Sequence, residues 1–67
     1  MTSAERRQQI LAYICNHGSG KVDEFAEQYN VSAVTIRHDL NLLEKEGCVF
    51  RCYGGATLNP NFAFDQP

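Results

Sequence analysis

The sequence has no apolar run that approaches the roughly 20 residues needed for a membrane-spanning helix. Its first residues, MTSAERRQQI, contain no apolar segment followed by a small-residue cleavage site, so they do not indicate a signal peptide. Internal repeats and low-complexity stretches are missing too. From these absences we predict a cytoplasmic globular protein without a membrane partner.

Cysteine is scarce and its spacing is uninformative. The 3 cysteines, at positions 15, 48 and 52, include no C-x-x-C pair, which argues against a disulfide framework. A zinc site made of Cys48, Cys52 and a histidine would lack the usual ligand spacing. We therefore predict reduced cysteines that behave as small apolar side chains, and no cofactor.

Signatures of catalysis are also missing. The chain has no Ser/His/Asp set and no phosphate-binding loop of the G-x-x-x-x-G-K type. Its 67 residues make one small domain, near the lower size limit for a stable core and too small to enclose a substrate. We predict a binding module or a piece of a longer protein, and not an enzyme.

The chain lacks the positive charge that is typical of nucleic-acid-binding domains, since its net charge is −2. The charges are unevenly distributed, however: Asp23, Glu24 and Glu27 fall in one segment, and most of the cations lie elsewhere. A basic surface is therefore possible if folding brings those cations together. They are Arg6, Arg7, Arg37, Lys45 and Arg51.

The spacing of apolar residues predicts three helices. The first runs from about Ala4 to His17, with Ser3 as its N-cap. The second covers about 22–29, where apolar residues recur at i, i+3, i+4 and i+7. The third begins after Ser32, which is a favourable N-cap. About three residues separate the last two helices, and this connection is typical of a helix-turn-helix.

A segment rich in strand formers, CVFRCYGGATLN, follows the third helix. It predicts strands over about 48–53 and 56–59, joined by a two-residue turn at Gly54 and Gly55 with positive φ at both. A minimal strand at Lys21 and Val22 is also possible. The predicted fold is mainly α with a small β-hairpin: a winged helix-turn-helix with three helices and a two-stranded wing.

We assign residues 1–59 to this domain. The tail over 60–67 contains both prolines of the chain and is interpreted as the start of a linker that continues into further sequence. Because the tail has no helical or strand periodicity, we expect it to contribute little to the fold.

The outward face of the third helix is polar in a way that suits a DNA major groove. At about 100° per residue, Ile36, Leu40 and Leu43 face the core. Arginine can pair with guanine, asparagine with adenine, and a valine or threonine methyl group can contact thymine. An ordinary solvated helix face would give the same pattern. The candidate contacts are Ser32, Val34, Thr35, Arg37, His38, Asn41 and Lys45.

Candidate contacts also lie outside the third helix. Arg6 and Arg7 begin the first helix, where the helix dipole disfavours cations, so a phosphate would be a favourable partner; pairing with Glu5 is the alternative. The hairpin offers further contacts to a phosphate or the minor groove, although a plain tight turn explains the glycines equally well. These hairpin candidates are Arg51, Tyr53, Gly54 and Gly55.

One acidic residue lies among these cations. Asp39 would repel phosphate if it were free, and we expect it to pair with Arg37, Arg51 or a neighbouring N–H group.

These motifs resemble the N-terminal signature of the DeoR family of bacterial sugar-metabolism repressors. The family pattern is approximately V-S-x-x-T-I-R-R-D-L, then L-x-x-x-G, then R-x-x-G-G-A. The corresponding segments here are VSAVTIRHDL from Val31, LEKEG from Leu43 and RCYGGA from Arg51. The segments ERRQQIL and VDEFAEQY look like the family's first two helices, so the likeness covers about residues 4–59.

The resemblance implies a winged helix-turn-helix that binds double-stranded operator DNA and represses transcription. It also implies a C-terminal domain, missing from this chain, that binds a phosphorylated sugar or related effector and makes the full protein a homo-oligomer, whereas the isolated domain would be monomeric. His38 departs from the family pattern, which commonly has arginine there. The rival hypothesis is a winged helix that binds another protein without binding DNA.

Overall fold

The computed structural model describes residues 1–62, and residues 63–67 of the expected linker lie outside the described part. In chain order the elements are α1 (Ser3–His17), β1 (Ser19–Lys21), α2 (Val22–Tyr29), α3 (Ala33–Lys45), β2 (Val49–Cys52) and β3 (Gly55–Leu58). The predicted three helices and two-stranded wing are confirmed. No helix within residues 1–62 is long and apolar enough to cross a membrane.

The N-cap of α1 is Thr2, so the prediction of Ser3 was wrong. The Glu5 N–H donates to Thr2 Oγ1 at 3.1 Å, and the Thr2 N–H donates to Glu5 Oε1 at 2.8 Å. This capping box needs a glutamate three residues after the cap, and that position after Ser3 is occupied by Arg6, which cannot accept a hydrogen bond. The bond from the Thr2 backbone also lowers the pKa of Glu5.

The wing is the larger part of a three-stranded antiparallel sheet with the order β1-β3-β2. β1 is the minimal strand, found slightly earlier in the chain than Lys21 and Val22, and it pairs Gly20 with Ala56. Beyond the strand, the Val22 N–H donates to Gly54 O at 2.9 Å. The hairpin is therefore fixed to the start of α2 and does not project freely.

The turn of the hairpin is Tyr53–Gly54, because Cys52 pairs with Gly55 across the strands. Gly54 has a φ of +78°, but Gly55 lies inside β3 and is absent from the positive-φ glycines of the described chain. The prediction of positive φ at both glycines was therefore wrong. The reason is that Gly55 also pairs with Lys21 of β1, which holds it in extended conformation as a strand residue.

The core draws on all three helices and the sheet. In the wing, Val49 is fully buried whereas Phe50 is 50% exposed, so the Val49 face packs inwards. Phe62 packs partly against the core, so the fold includes residues beyond the boundary expected at Asn59. The buried apolar residues are Ile10, Leu11, Ile14, Val22, Phe25, Ile36, Leu40, Leu43, Cys48, Val49 and Ala56.

The three cysteines lie in different environments. Cys48 is buried in the core, and Cys15 is half-buried beside it. Burial raises the pKa of both thiols, which favours the neutral form that packs as an apolar group. Cys52 is exposed at the end of β2, so the expected role of a small apolar side chain does not extend to it.

Candidate nucleic-acid interface

The start of α3 is fixed by a sharp turn after α2. Asn30 ends α2 with a φ of +55°, and its N–H bonds back to carbonyl groups of that helix. Ser32 then caps α3, because its Oγ accepts the Thr35 N–H at 3.1 Å, as predicted. Val31 between them packs against the core. These local bonds set the direction in which α3 leaves the turn.

The two faces of α3 separate as the apolar spacing predicts. Ile36, Leu40 and Leu43 are buried in the core. Val34 is 70% exposed, and the polar candidates further along the same face are also open to solvent. Thr35 is half-buried, and its hydroxyl lies 3.1 Å from that of Ser32. The exposed polar candidates are Arg37, His38, Asn41 and Lys45.

Arg51 connects the wing to α3 by two hydrogen bonds and makes a third within the wing. Its Nη1 donates to Asn41 Oδ1 at 2.6 Å, and its backbone N–H donates to Glu44 Oε2 at 2.7 Å. Its Nε donates to Gly55 O at 3.1 Å, across the hairpin. The orientation of the wing relative to the exposed face of α3 is thus held by side-chain bonds as well as by core packing.

A cleft of about 460 Å³ lies between α3, the hairpin turn and the start of α2. Arg37 and Arg51 line it from two different elements, and the fully exposed Tyr53 stands beside them. Two guanidinium groups in one concave surface favour an anionic ligand such as a phosphate. The full lining is Val22, Asp23, Arg37, Arg51, Cys52, Tyr53 and Gly54.

Asp39 is buried, and its partners come from α1. Arg6 Nε lies 2.5 Å from Asp39 Oδ2 and Arg6 Nη2 lies 3.2 Å from Oδ1, while Arg7 Nη1 is 3.4 Å from Oδ1. The prediction that Asp39 pairs with Arg37, Arg51 or a nearby N–H was therefore wrong. The hydrogen bond to Asp39 raises the pKa of Arg6. This cluster joins α1 to the inner side of α3.

Two candidate contacts are removed by this geometry. The Arg6 side chain is only 13% exposed and both of its bonds go to Asp39, so it is not available to a phosphate. Gly55 is buried between two strands, and its carbonyl accepts from Arg51. Arg7 is 29% exposed and holds Asp39 by one long bond, so it remains a candidate for phosphate contact.

The burial of Asp39, and hence its need for partners such as Arg6 and Arg7, could have been predicted from the helical periodicity of the sequence. Asp39 lies three residues after Ile36 and one before Leu40, which places it on the edge of the buried stripe. A carboxylate at that position needs a cation from another element, because an unpaired buried charge is strongly unfavourable. Within residues 1–62, no group of three or more His, Cys, Asp or Glu side chains is arranged to hold a metal ion.

Comparison of the sequence with known protein families supports the helix-turn-helix described above. Residues 6–62 match the family of DeoR-like helix-turn-helix domains. The chain belongs to this DeoR-like family. The chain is 46% identical over 56 residues to a protein of Escherichia coli O157:H7 whose name describes an aga operon transcriptional repressor; the match covers 84% of this chain and 21% of that protein.

Other DeoR-like relatives have similar names. The regulator IolR of Bacillus subtilis is 40% identical over 52 residues, which cover 78% of this chain and 21% of that protein. The lactose phosphotransferase system repressor of Staphylococcus epidermidis is 33% identical over 66 residues, covering 98% of this chain and 26% of the repressor. The chain thus spans about a fifth to a quarter of the relatives' length. No solved structure is significantly similar to it.

The DeoR-like family and the exposed polar face of α3 agree on one class of activity. Both place the chain among the helix-turn-helix DNA-binding domains of transcriptional repressors.

Proposed function

We propose that this domain binds operator DNA sequence-specifically, with α3 in the major groove and the wing on the adjacent backbone. The observation that carries the proposal is the continuity of the exposed face of α3 with the cleft, because Arg37 belongs to both. A groove-bound helix needs side chains that reach base edges, and a neighbouring cationic surface aligns it on the phosphates.

The side chains of α3 divide into two kinds of contact. Arg37 is suited to guanine, and Val34 presents an apolar surface to a thymine methyl group. Ser32 and Thr35 sit at the helix N-terminus, where backbone N–H groups and hydroxyls favour a phosphate. Lys45 at the far end of the helix is a further phosphate contact.

The wing and α1 supply the remaining proposed contacts. Arg51 lines the cleft, and Tyr53 and Gly54 form the exposed turn beside it. Gly54 leaves the backbone open, since a Cβ at this position would meet nothing within 4 Å. Arg7 lies on α1, is bonded to Asp39 and keeps a partly exposed side chain. The two arginines, Arg7 and Arg51, would neutralise phosphates and position the domain on the backbone.

The acidic net charge does not oppose this proposal. Of the two acidic residues of α3, Asp39 is fully buried and bonded to Arg6 and Arg7, so its charge is compensated before DNA arrives. The other, Glu44, accepts a hydrogen bond from the Arg51 backbone N–H. Asp23 lies at the edge of the cleft, and the other acids of α2 are exposed. The local charge at the cleft, and not the total charge, governs the approach of DNA.

We infer that the whole protein is a bacterial transcriptional repressor of sugar or sugar-derivative metabolism that acts in the cytoplasm. The names of the relatives support this, since one describes a lactose phosphotransferase system repressor. The relatives are about four to five times longer than the matched region, which leaves room for an effector domain that binds a phosphorylated sugar and forms a homo-oligomer. In this proposal residues 1–59 form a monomeric DNA-binding domain that is not an enzyme. Residues 60–67 lead towards the effector domain.

The test of DNA binding is Arg37→Ala, measured by fluorescence anisotropy against a duplex selected from a random library. We expect about tenfold weaker binding, because one guanine contact is lost. Arg37→Lys is the matched control: it keeps the charge but not the forked donor, so affinity for random-sequence DNA should persist while the preference for the selected duplex falls.

Salt dependence separates this proposal from a protein-binding winged helix. Each neutralised phosphate contributes about −0.9 to the slope of log K against log salt, so phosphate contacts by Arg7, Arg51 and Lys45 predict a slope of about −2.7. In a chemical-shift titration, perturbations should centre on residues 32–41 and 51–54. A flat salt dependence, or shifts centred on 23–27, would support the protein-binding alternative and contradict DNA binding.

His38→Arg is expected to tighten binding to both selected and random DNA. His38 is exposed on the same face as Asn41, and arginine there adds a permanent charge and a forked donor. The slope of log K against log salt should steepen by about 0.9. His17→Arg, which adds the same charge at the far end of α1, is the control and should change affinity little. Anisotropy at fixed salt makes the comparison, and unchanged or weaker binding by His38→Arg would contradict the prediction.

A further inference from the structure

The bond between Arg51 and Asn41 has a consequence for base recognition. A guanidinium carries only donors, so the Asn41 atom that lies 2.6 Å from Arg51 Nη1 must be the carbonyl oxygen, Oδ1. The orientation of the Asn41 amide is therefore determined by chemistry: Oδ1 faces the wing, and the Nδ2 amino group is directed away from Arg51.

Arg51 is itself held in place. Its Nε donates to Gly55 O at 3.1 Å, and its backbone N–H donates to Glu44 Oε2 at 2.7 Å, three residues beyond Asn41 on α3. Arg51 is also half-buried, which limits the alternative rotamers of its long side chain. Arg51 on the wing and Asn41 on α3 are thus bonded to each other before DNA binds.

We propose that Arg51 sets the base preference of Asn41, an inference that rests on the proposed function. A free asparagine reads adenine with its carbonyl oxygen on N6–H and its amino group on N7. Here one of the two lone pairs of Oδ1 already accepts from a cation, which weakens this oxygen as an acceptor for the amino group of a base. The two side chains together therefore present mainly donors.

A surface of donors selects a base edge with acceptors. Guanine offers O6 and N7 in the major groove, and thymine offers O4, whereas the amino groups of adenine and cytosine are donors. The base that faces Asn41 is therefore expected to be guanine or thymine in preference to adenine. This reverses the simple expectation from the residue type, which is that asparagine reads adenine.

The experiment selects duplexes from a random library with the 67-residue chain and its variants. Arg51→Met removes the donors but keeps the length of the side chain, so it frees the Asn41 carbonyl. The fraction of selected duplexes that carry adenine at one position should then rise about fivefold. This corresponds to the lower end of the discrimination that one bidentate contact gives between bases. Asn41→Ala should remove the preference at that same position and leave the other positions intact.

Lys45→Met is the matched control, because it removes one exposed cation from the same helix and leaves the bond between Asn41 and Arg51 in place. It should weaken binding uniformly, reduce the salt slope by about 0.9 and leave the base preference unchanged. If Arg51→Met selects the same bases as the wild type at every position, the inference is overturned. A wild type that selects no sequence at all would instead overturn the proposed function, and the inference with it.

A second measurement keeps the inference testable if Arg51→Met does not fold. In the wild-type chain the Nη–H signals of Arg51 should be resolved by NMR, both free and bound to the selected duplex, because the guanidinium is bonded to Asn41. Asn41→Ala should broaden those signals through faster rotation and exchange. Signals that are already averaged in the wild type on DNA would show that the bond breaks on binding and would overturn the inference.

Discussion

Asp39→Ala is expected to lower the free energy of unfolding by about 3–5 kcal/mol, the cost of removing one partner of a buried ion pair. The Asp39 side chain is fully buried, and it receives hydrogen bonds from Arg6 and Arg7. Without the carboxylate, Arg6 would keep a charge at a site that is only 13% exposed. A domain of this size has a total stability of about 3–10 kcal/mol, so the variant should lose a large part of it.

Urea denaturation followed by circular dichroism measures this loss. Asp23→Ala is the control, because Asp23 is an exposed acid on α2, and it should change the stability by less than about 0.5 kcal/mol. The double variant Arg6→Met with Asp39→Leu should recover most of the stability, since buried ion pairs can be replaced by apolar side chains of similar volume. A fully stable Asp39→Ala would show that the cluster contributes nothing to the fold.

Gly55→Ala is expected to cost about 3 kcal/mol, at the upper end of the effects of overpacking. A Cβ at Gly55 would overlap the carbonyl oxygen of Gly20 on the neighbouring strand β1. The obstructing atom belongs to the backbone, so it cannot move aside as the end of a side chain can. The sheet would have to open between β1 and β3, and the turn beside Arg51 would lose its attachment to the start of α2.

Gly54→Asn is the matched control at the next residue. Gly54 has a φ of +78° but open space around it, and asparagine is the side chain that best tolerates the left-handed region. We expect a loss below about 1 kcal/mol for Gly54→Asn, measured in the same urea denaturation series. Equal losses for the two variants would mean that backbone conformation, and not the close approach of β1, makes glycine necessary in this turn.

The sequence determined the elements whose causes are local. Ser32 caps α3 through a bond to Thr35 three residues away, and the buried stripe of Ile36, Leu40 and Leu43 follows from helical periodicity. The glycines at the end of α1 and in the hairpin indicated where these elements end, and this signal is local too. Short-range spacing was therefore enough to predict the winged helix-turn-helix and the exposed face of α3.

Tertiary structure alone decided which charged side chains are free to meet DNA. Arg6 and Asp39 are 33 residues apart in the chain, and the same spacing patterns fit a phosphate-binding arginine and an exposed aspartate. Arg51 and Asn41 are 10 residues apart on different elements, and their bond exists only because the sheet packs against α3. Periodicity shows which face of an element is polar. Which polar groups bond to one another depends on how the elements pack, because hydrogen bonds need contact within about 3 Å.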